Sequence, residues 1–227
     1  MMRRMCMKVL MAVALPAAAQ VAPSAAEVAA YQGLHAAAHR GDAAEIRRLA
    51  AADARSLEGR DANGRTPLHV AAFARQRAAI EALMKAGANH AALDADRYDA
   101  VTIASVADDE ETLRLLLSLG ASARLTTSRY DGTALIAAAH LGHDGVVRQL
   151  IAAKAPLDHV NNLHWTALIE AIVLGDGGRR HQAVVQALLK AGASTSLADR
   201  QGRTPLALAK DRGYAEMVKM LEAAGAR

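Results

Sequence analysis

The sequence predicts an all-α solenoid of about six helix-turn-helix repeats joined by short β-hairpin-like turns. Three observations predict it. A motif recurs, as T-P-L-H at Thr66–His69, D-A-V-T at Asp99–Thr102, G-T-A-L-I at Gly132–Ile136, W-T-A-L-I at Trp165–Ile169 and R-T-P-L-A at Arg203–Ala207. Its equivalent positions (Thr66, Asp99, Thr133, Thr166 and Thr204) lie 33, 34, 33 and 38 residues apart. Each return is followed by an apolar run at helical spacing and then a Gly-Ala type of stop. Units of this length cannot bury their apolar faces alone. The core is therefore expected as a continuous seam between neighbours.

The first stretch of the chain is a separate object. Met1–Lys8 carries Arg3, Arg4 and Lys8, Val9–Ala18 is apolar, and Ala17-Ala18-Ala19 offers the small residues a signal peptidase reads. Residues 1–19 are thus expected as a signal peptide cleaved after Ala19, with Ala22 as the alternative. The apolar run is too short for a permanent membrane anchor. Arg3-Arg4 leaves twin-arginine export open beside the general secretory route. Either route puts the protein in the periplasm or outside the cell. The only cysteine, Cys6, falls in the leader, so the remainder has no thiol nucleophile, redox pair or cysteine-metal site. Of 27 basic and 23 acidic residues the leader holds three basic ones. What remains is 24 against 23, a net charge of +1, which gives nucleic-acid binding no support.

Residues 20–30 read as an alanine-rich linker, and the repeats as 31–60, 61–93, 94–127, 128–160, 161–198 and 199–227. The second is the clearest. Asp61–Gly64 is turn chemistry, Thr66 is an N-cap, and Pro67 sits where a missing N–H costs nothing. Ile80, Leu83 and Met84 mark a second helix, which Gly87 ends in the left-handed region. These motifs resemble ankyrin repeats, with the family's T-P-L-H start and G-H position (Gly142-His143). The resemblance implies a non-enzymatic protein-binding array without cofactors, expected as a monomer.

Three departures from the family pattern stand out. Lys154 takes the place of the helix-ending glycine and is expected either in a strained left-handed conformation or with an altered stop at Pro156, at a cost of about 1 kcal/mol. Arg97-Tyr98-Asp99-Ala100 replaces the G-R-T-P turn, so the third repeat is expected to have a less regular first helix. The fifth carries five extra residues around Asp176–His181, expected as a flexible basic loop between its two helices.

Nine histidines raise the question of metal binding. His35 and His69 match the motif histidine, which in the family ties adjacent repeats by hydrogen bonds. His140 and His143 are three apart, yet no HExxH or third ligand accompanies them, so no metal site is expected. No nucleophile elbow or phosphate-cradling loop occurs either, so catalysis is not expected.

In ankyrin-like arrays the turn tips and the exposed ends of the first helices form a concave recognition surface. By that register the contact residues here are Phe73, Tyr98, Arg129, Tyr130, His140, Leu141, Trp165, Val173, Leu174 and Arg203. Tyr, Trp and Arg are the residue types that dominate interfaces. Tyr98 and Tyr130 have an equal reading as staples of irregular turns, whereas Trp165 is expected at a tip with no packing duty. The protein is accordingly read as an exported module that docks a periplasmic protein. A secreted or surface protein acting on another cell is the alternative, and an enzyme with a convergent site the remotest reading.

Overall fold

The computed structural model describes residues 20–227, so the leader and its cleavage site lie outside the described residues. Six helix pairs follow one another: α2 (Gly33–Arg40) with α3 (Ala43–Ala52), α4 (Pro67–Phe73) with α5 (Arg77–Lys85), α6 (Ala100–Val106) with α7 (Glu110–Ser118), α8 (Ala134–Leu141) with α9 (Asp144–Ala152), α10 (Ala167–Val173) with α11 (Arg179–Lys190), and α12 (Pro205–Arg212) with α13 (Ala215–Ala223). First helices stack on first helices along the whole array, and second helices on second helices. One apolar cluster runs from Leu34 to Leu221 through this stack, so the core is the expected seam.

Each unit after the first enters its first helix from a tight hairpin, four of them closed by backbone bonds Asp61 N–H to Arg65 O, Asp94 to Tyr98, Asn161 to Trp165 and Asp199 to Arg203. The first residue of each hairpin makes the turn: Asp61, Asp94, Asn161 and Asp199 accept, through one side-chain oxygen, the N–H groups two and four residues on. The remaining hairpin is one residue longer, closed from Thr127 to Gly132, and Ser128 Oγ does this work there. Backbone bonds from Ala95 to Asn63, Ser128 to Arg97 and Asn162 to Tyr130 tie successive hairpins together. The fourth hairpin residue needs a positive φ, met by Gly64 at 69° and by Arg97 and His164 at 65°.

Thr66 and Pro67 begin α4 as expected, with His69 completing a reciprocal cap. Lys154 is left-handed, at φ 63°. The third repeat corrects an expectation: α6 is as long as α4 because Asp99 caps it, its carboxylate accepting from Thr102 N–H at 2.9 Å. The insertion corrects another. Arg179–His181 form the start of α11, which at 12 residues outruns the nine of α5, α7 and α9. Arg180 spans to Asp108 at 2.8 Å and Asp144 at 3.4 Å, and Tyr214 Oη donates to Gly175 O. A side chain on Gly177 would strike the Tyr214 ring, so this segment is fitted to its neighbours.

Residues 20–30 are no plain linker. Ser24 and Glu27 cap a short helix α1 (Ala25–Ala30). The segment docks on the first hairpin, where buried Arg65 pairs with Asp61 and Glu27 and donates to Val21 O, while Tyr31 Oη donates to Asp61 at 2.8 Å. The signal for this strap was the S-x-x-E spacing of Ser24 and Glu27. Among the described residues no helix is long and apolar enough to cross a membrane.

Candidate functional site

The hairpins and first helices of the third, fourth and fifth repeats enclose a groove of about 350 Å³. Its apolar lining comes from all three repeats: Tyr98 and Val106 from the third, Tyr130, Ile136 and Leu141 from the fourth, and Leu163 and Leu174 from the fifth. Its floor is polar, with Thr102, Thr127, Thr133, Asn161 and Glu170. Gln20, from the strap, also lines it, and among the described residues its buried side-chain Nε2 has no hydrogen-bond partner. The first helices that carry part of this lining are stacked on both flanks, and the hairpins that carry the rest are tied to one another by backbone bonds, so the groove is built from rigid parts.

The polar floor has a definite geometry. Glu170 is 5% exposed, and its Oε1 accepts from Asn161 Nδ2 at 2.8 Å. Its Oε2 lies 3.3 Å from His140 Nδ1, while the His140 carbonyl accepts from His181 Nε2 at 2.9 Å. Asn161 cannot turn its amide round, because Oδ1 already holds the N–H groups of Leu163 and Trp165. Burial raises Asp99, at the foot of α6 behind the groove, above the usual carboxylate range.

Five of the expected contact residues come together here: Tyr98, Tyr130, His140, Leu141 and Leu174. Tyr98 is 8% exposed and belongs to the core, so it forms a wall rather than a projecting tip. The other five lie elsewhere. Phe73 and Val173 are half-buried against the core. Arg129 is exposed but pairs with Asp96 of the preceding hairpin, and Arg203 closes its own hairpin on Asp199 at 2.7 Å. Trp165 corrects the reading that gave it no packing duty. Its indole is half-buried and packs against the core.

Sequence reasoning missed Glu170 and Asn161. The available signal was register, since Glu170 follows the motif at a position held by Ala36, Val70, Ile103, Ala137 and Leu208 in the other repeats.

The histidines act as inter-repeat ties. His35 Nε2 bonds Arg65 O, and His69 Nε2 bonds Tyr98 O, both at 2.9 Å. His143 Nδ1 bonds Ser105 O at 2.9 Å, and His159 bonds Asp131 O at 2.6 Å. Among the described residues no group of three or more His, Cys, Asp or Glu side chains is placed to hold a metal ion.

Comparison with known proteins gives one consistent answer. The family model described as ankyrin repeats in three copies matches residues 26–94 and 101–195. The ankyrin repeat protein YahD of Escherichia coli (strain K12) is 39% identical over 164 residues, which cover 72% of this chain and 81% of that protein. The crystal structure of an ankyrin repeat domain from Acinetobacter baumannii AYE is 44% identical and superposes with a TM-score of 0.79, over 86% of this chain and 98% of that one. The ankyrin repeat domain of Bcl-3, of the IkappaB family, is 27% identical with a TM-score of 0.78, over 87% of this chain and 88% of that one.

Proposed function

We propose, on the premise that the chain belongs to the ankyrin repeat family, that it is an exported, non-enzymatic module that docks a periplasmic protein in the groove of its third to fifth repeats. Ankyrin repeats are protein-protein interaction modules, so the class of function follows from the family. The groove is what supports a location for it. One observation carries this reading: Val106, Tyr130, Leu141, Leu163 and Leu174 are left half-exposed around one concavity by three successive repeats. Aromatic and aliphatic side chains held on a rigid scaffold give a partner area to bury with little entropy lost on the receiving side.

Two measurements test it. Leu141→Asp sets a charge on the groove wall without touching the buried seam. It is expected to weaken capture of periplasmic protein at least about tenfold, roughly 1.4 kcal/mol, while the melting temperature stays within a few degrees. Capture unaltered by Leu141→Asp means the partner sits elsewhere. Export rests on the charged, apolar and small-residue segments of the leader. Mass spectrometry of the native protein is expected to show a chain beginning at Gln20 in the periplasmic fraction. A cytosolic chain retaining Met1 or Met2 overturns that part.

A further inference from the structure

The groove holds a charge that the fold does not ask for. Glu170 occupies a first-helix position filled by Ala36, Val70, Ile103, Ala137 and Leu208 in the other repeats, all apolar. A carboxylate there must be stripped of water, which is expensive unless a partner compensates. Its hairpin differs from the others in a way that suits it. The residue that makes the turn is Asp in the hairpins starting at Asp61, Asp94 and Asp199, but Asn in the one starting at Asn161. An aspartate at 161 would set two carboxylates side by side. Asparagine makes the same turn and donates Nδ2–H to Glu170 Oε1. The two residues together fix the Glu170 carboxyl group within an apolar groove.

Among the described residues no Lys or Arg lines the groove, and Glu170 is its one carboxylate. The arginines at the nearby tips are engaged with carboxylates of adjacent hairpins, Arg129 with Asp96 and Arg97 with Asp131. Among the described residues the imidazole of His140 alone stands by Oε2, at 3.3 Å. The described lining is thus acidic and apolar, with no Lys or Arg.

We propose that the groove takes a basic side chain, Lys or Arg, carried on an apolar segment of the partner protein, with its cationic end at Glu170 Oε2. The methylenes of such a side chain lie along Leu141 and Leu174, and the Tyr130 ring flanks the charge. Apolar walls lower the local dielectric, so the ion pair discriminates more strongly than one at an exposed rim. This inference rests on the reading of the groove as the docking face, and names what that face selects.

The test uses the full chain and three capped peptides: acetyl-Leu-Arg-Leu-amide, its lysine form and its norleucine form. Amide chemical shifts of Ala137, Leu141 and Leu174 are followed during each titration. Both basic peptides are expected to shift these amides and to bind at least about tenfold more tightly than the norleucine peptide. The wild-type comparison needs no variant. Glu170→Gln keeps an oxygen for Asn161 and is expected to bring all three peptides to the norleucine level. Equal binding of the three by wild type overturns the proposal, as does a preference that survives Glu170→Gln or an absence of shifts in the groove. A preference shown by only one basic peptide decides between guanidinium and ammonium and supports it. If the peptides fail while Leu141→Asp still abolishes partner capture, the docking face stands and its selection of a cation falls. If Leu141→Asp leaves capture intact, the docking face itself falls.

Discussion

Leu116→Ala is expected to cost about 2–5 kcal/mol, the range for removing a fully buried leucine whose cavity collapses only in part. Leu116 is completely buried in α7, and α7 packs against both α5 and α9. In a linear array each repeat is stabilised by its own fold and by the interfaces to its two neighbours. A cavity in the third repeat weakens both interfaces, whereas Leu221→Ala in the terminal α13 faces one neighbour only. Chemical denaturation followed by circular dichroism is the measurement. The central substitution is expected to lower the midpoint more than the terminal one. It is also expected to reduce the apparent m-value, since the two flanking pairs of repeats begin to unfold apart. No loss of stability with Leu116→Ala contradicts the seam as described.

The same nearest-neighbour logic explains what was legible in the chain. Within one repeat the determinants are local, and they read correctly: Thr66 and Pro67 start a helix, Gly87 ends one, and Lys154 is left-handed. Local register failed where a side chain's surroundings come from another repeat. The D-R-Y-D run around Tyr98 was expected to loosen a helix. In the structure Asp99 caps α6, and Tyr98 closes over the seam, its carbonyl held by His69 from 29 residues away. Trp165 sits at its expected place in the hairpin, but position along the backbone does not say which way the indole turns.

The insertion looked flexible because Gly177-Gly178 and two arginines suggest solvent. Its order depends on Asp108, Asp144 and Tyr214, none of them local. The groove was half legible for the same reason. Residues expected from turn and helix-end register supplied Tyr130, His140, Leu141 and Leu174 to it. Its polar floor was invisible to a scheme that inspected tips, since Glu170 sits in the part of the motif assumed to be core.

Acidification provides the second large effect. His69 is buried, and its geometry fixes a neutral ring: Thr66 N–H donates to Nδ1 at 3.1 Å, so Nε2 carries the proton given to Tyr98 O. Burial drives its pKa from the ordinary 6.5 down to about 4, against the opposing pull of the Tyr98 carbonyl. A histidine lowered on folding leaves the unfolded chain binding the extra proton between those two values. Stability is therefore full above pH 6.5, falls as the pH drops towards 4, and levels off below. One proton gives a slope of about 1.4 kcal/mol per pH unit, and the window sets a ceiling of about 3 kcal/mol. Asp94 and Asp99 titrate the other way, since burial raises both and makes the folded state the better proton acceptor. The difference between wild type and His69→Gln removes their contribution. The variant starts less stable, having lost the cap and the tie to the third repeat, but its stability is expected to fall less steeply from pH 6.5 to 4. Urea midpoints measured at half-unit steps across that interval decide it: parallel curves for the two proteins would mean that His69 is not the group that protonates on unfolding.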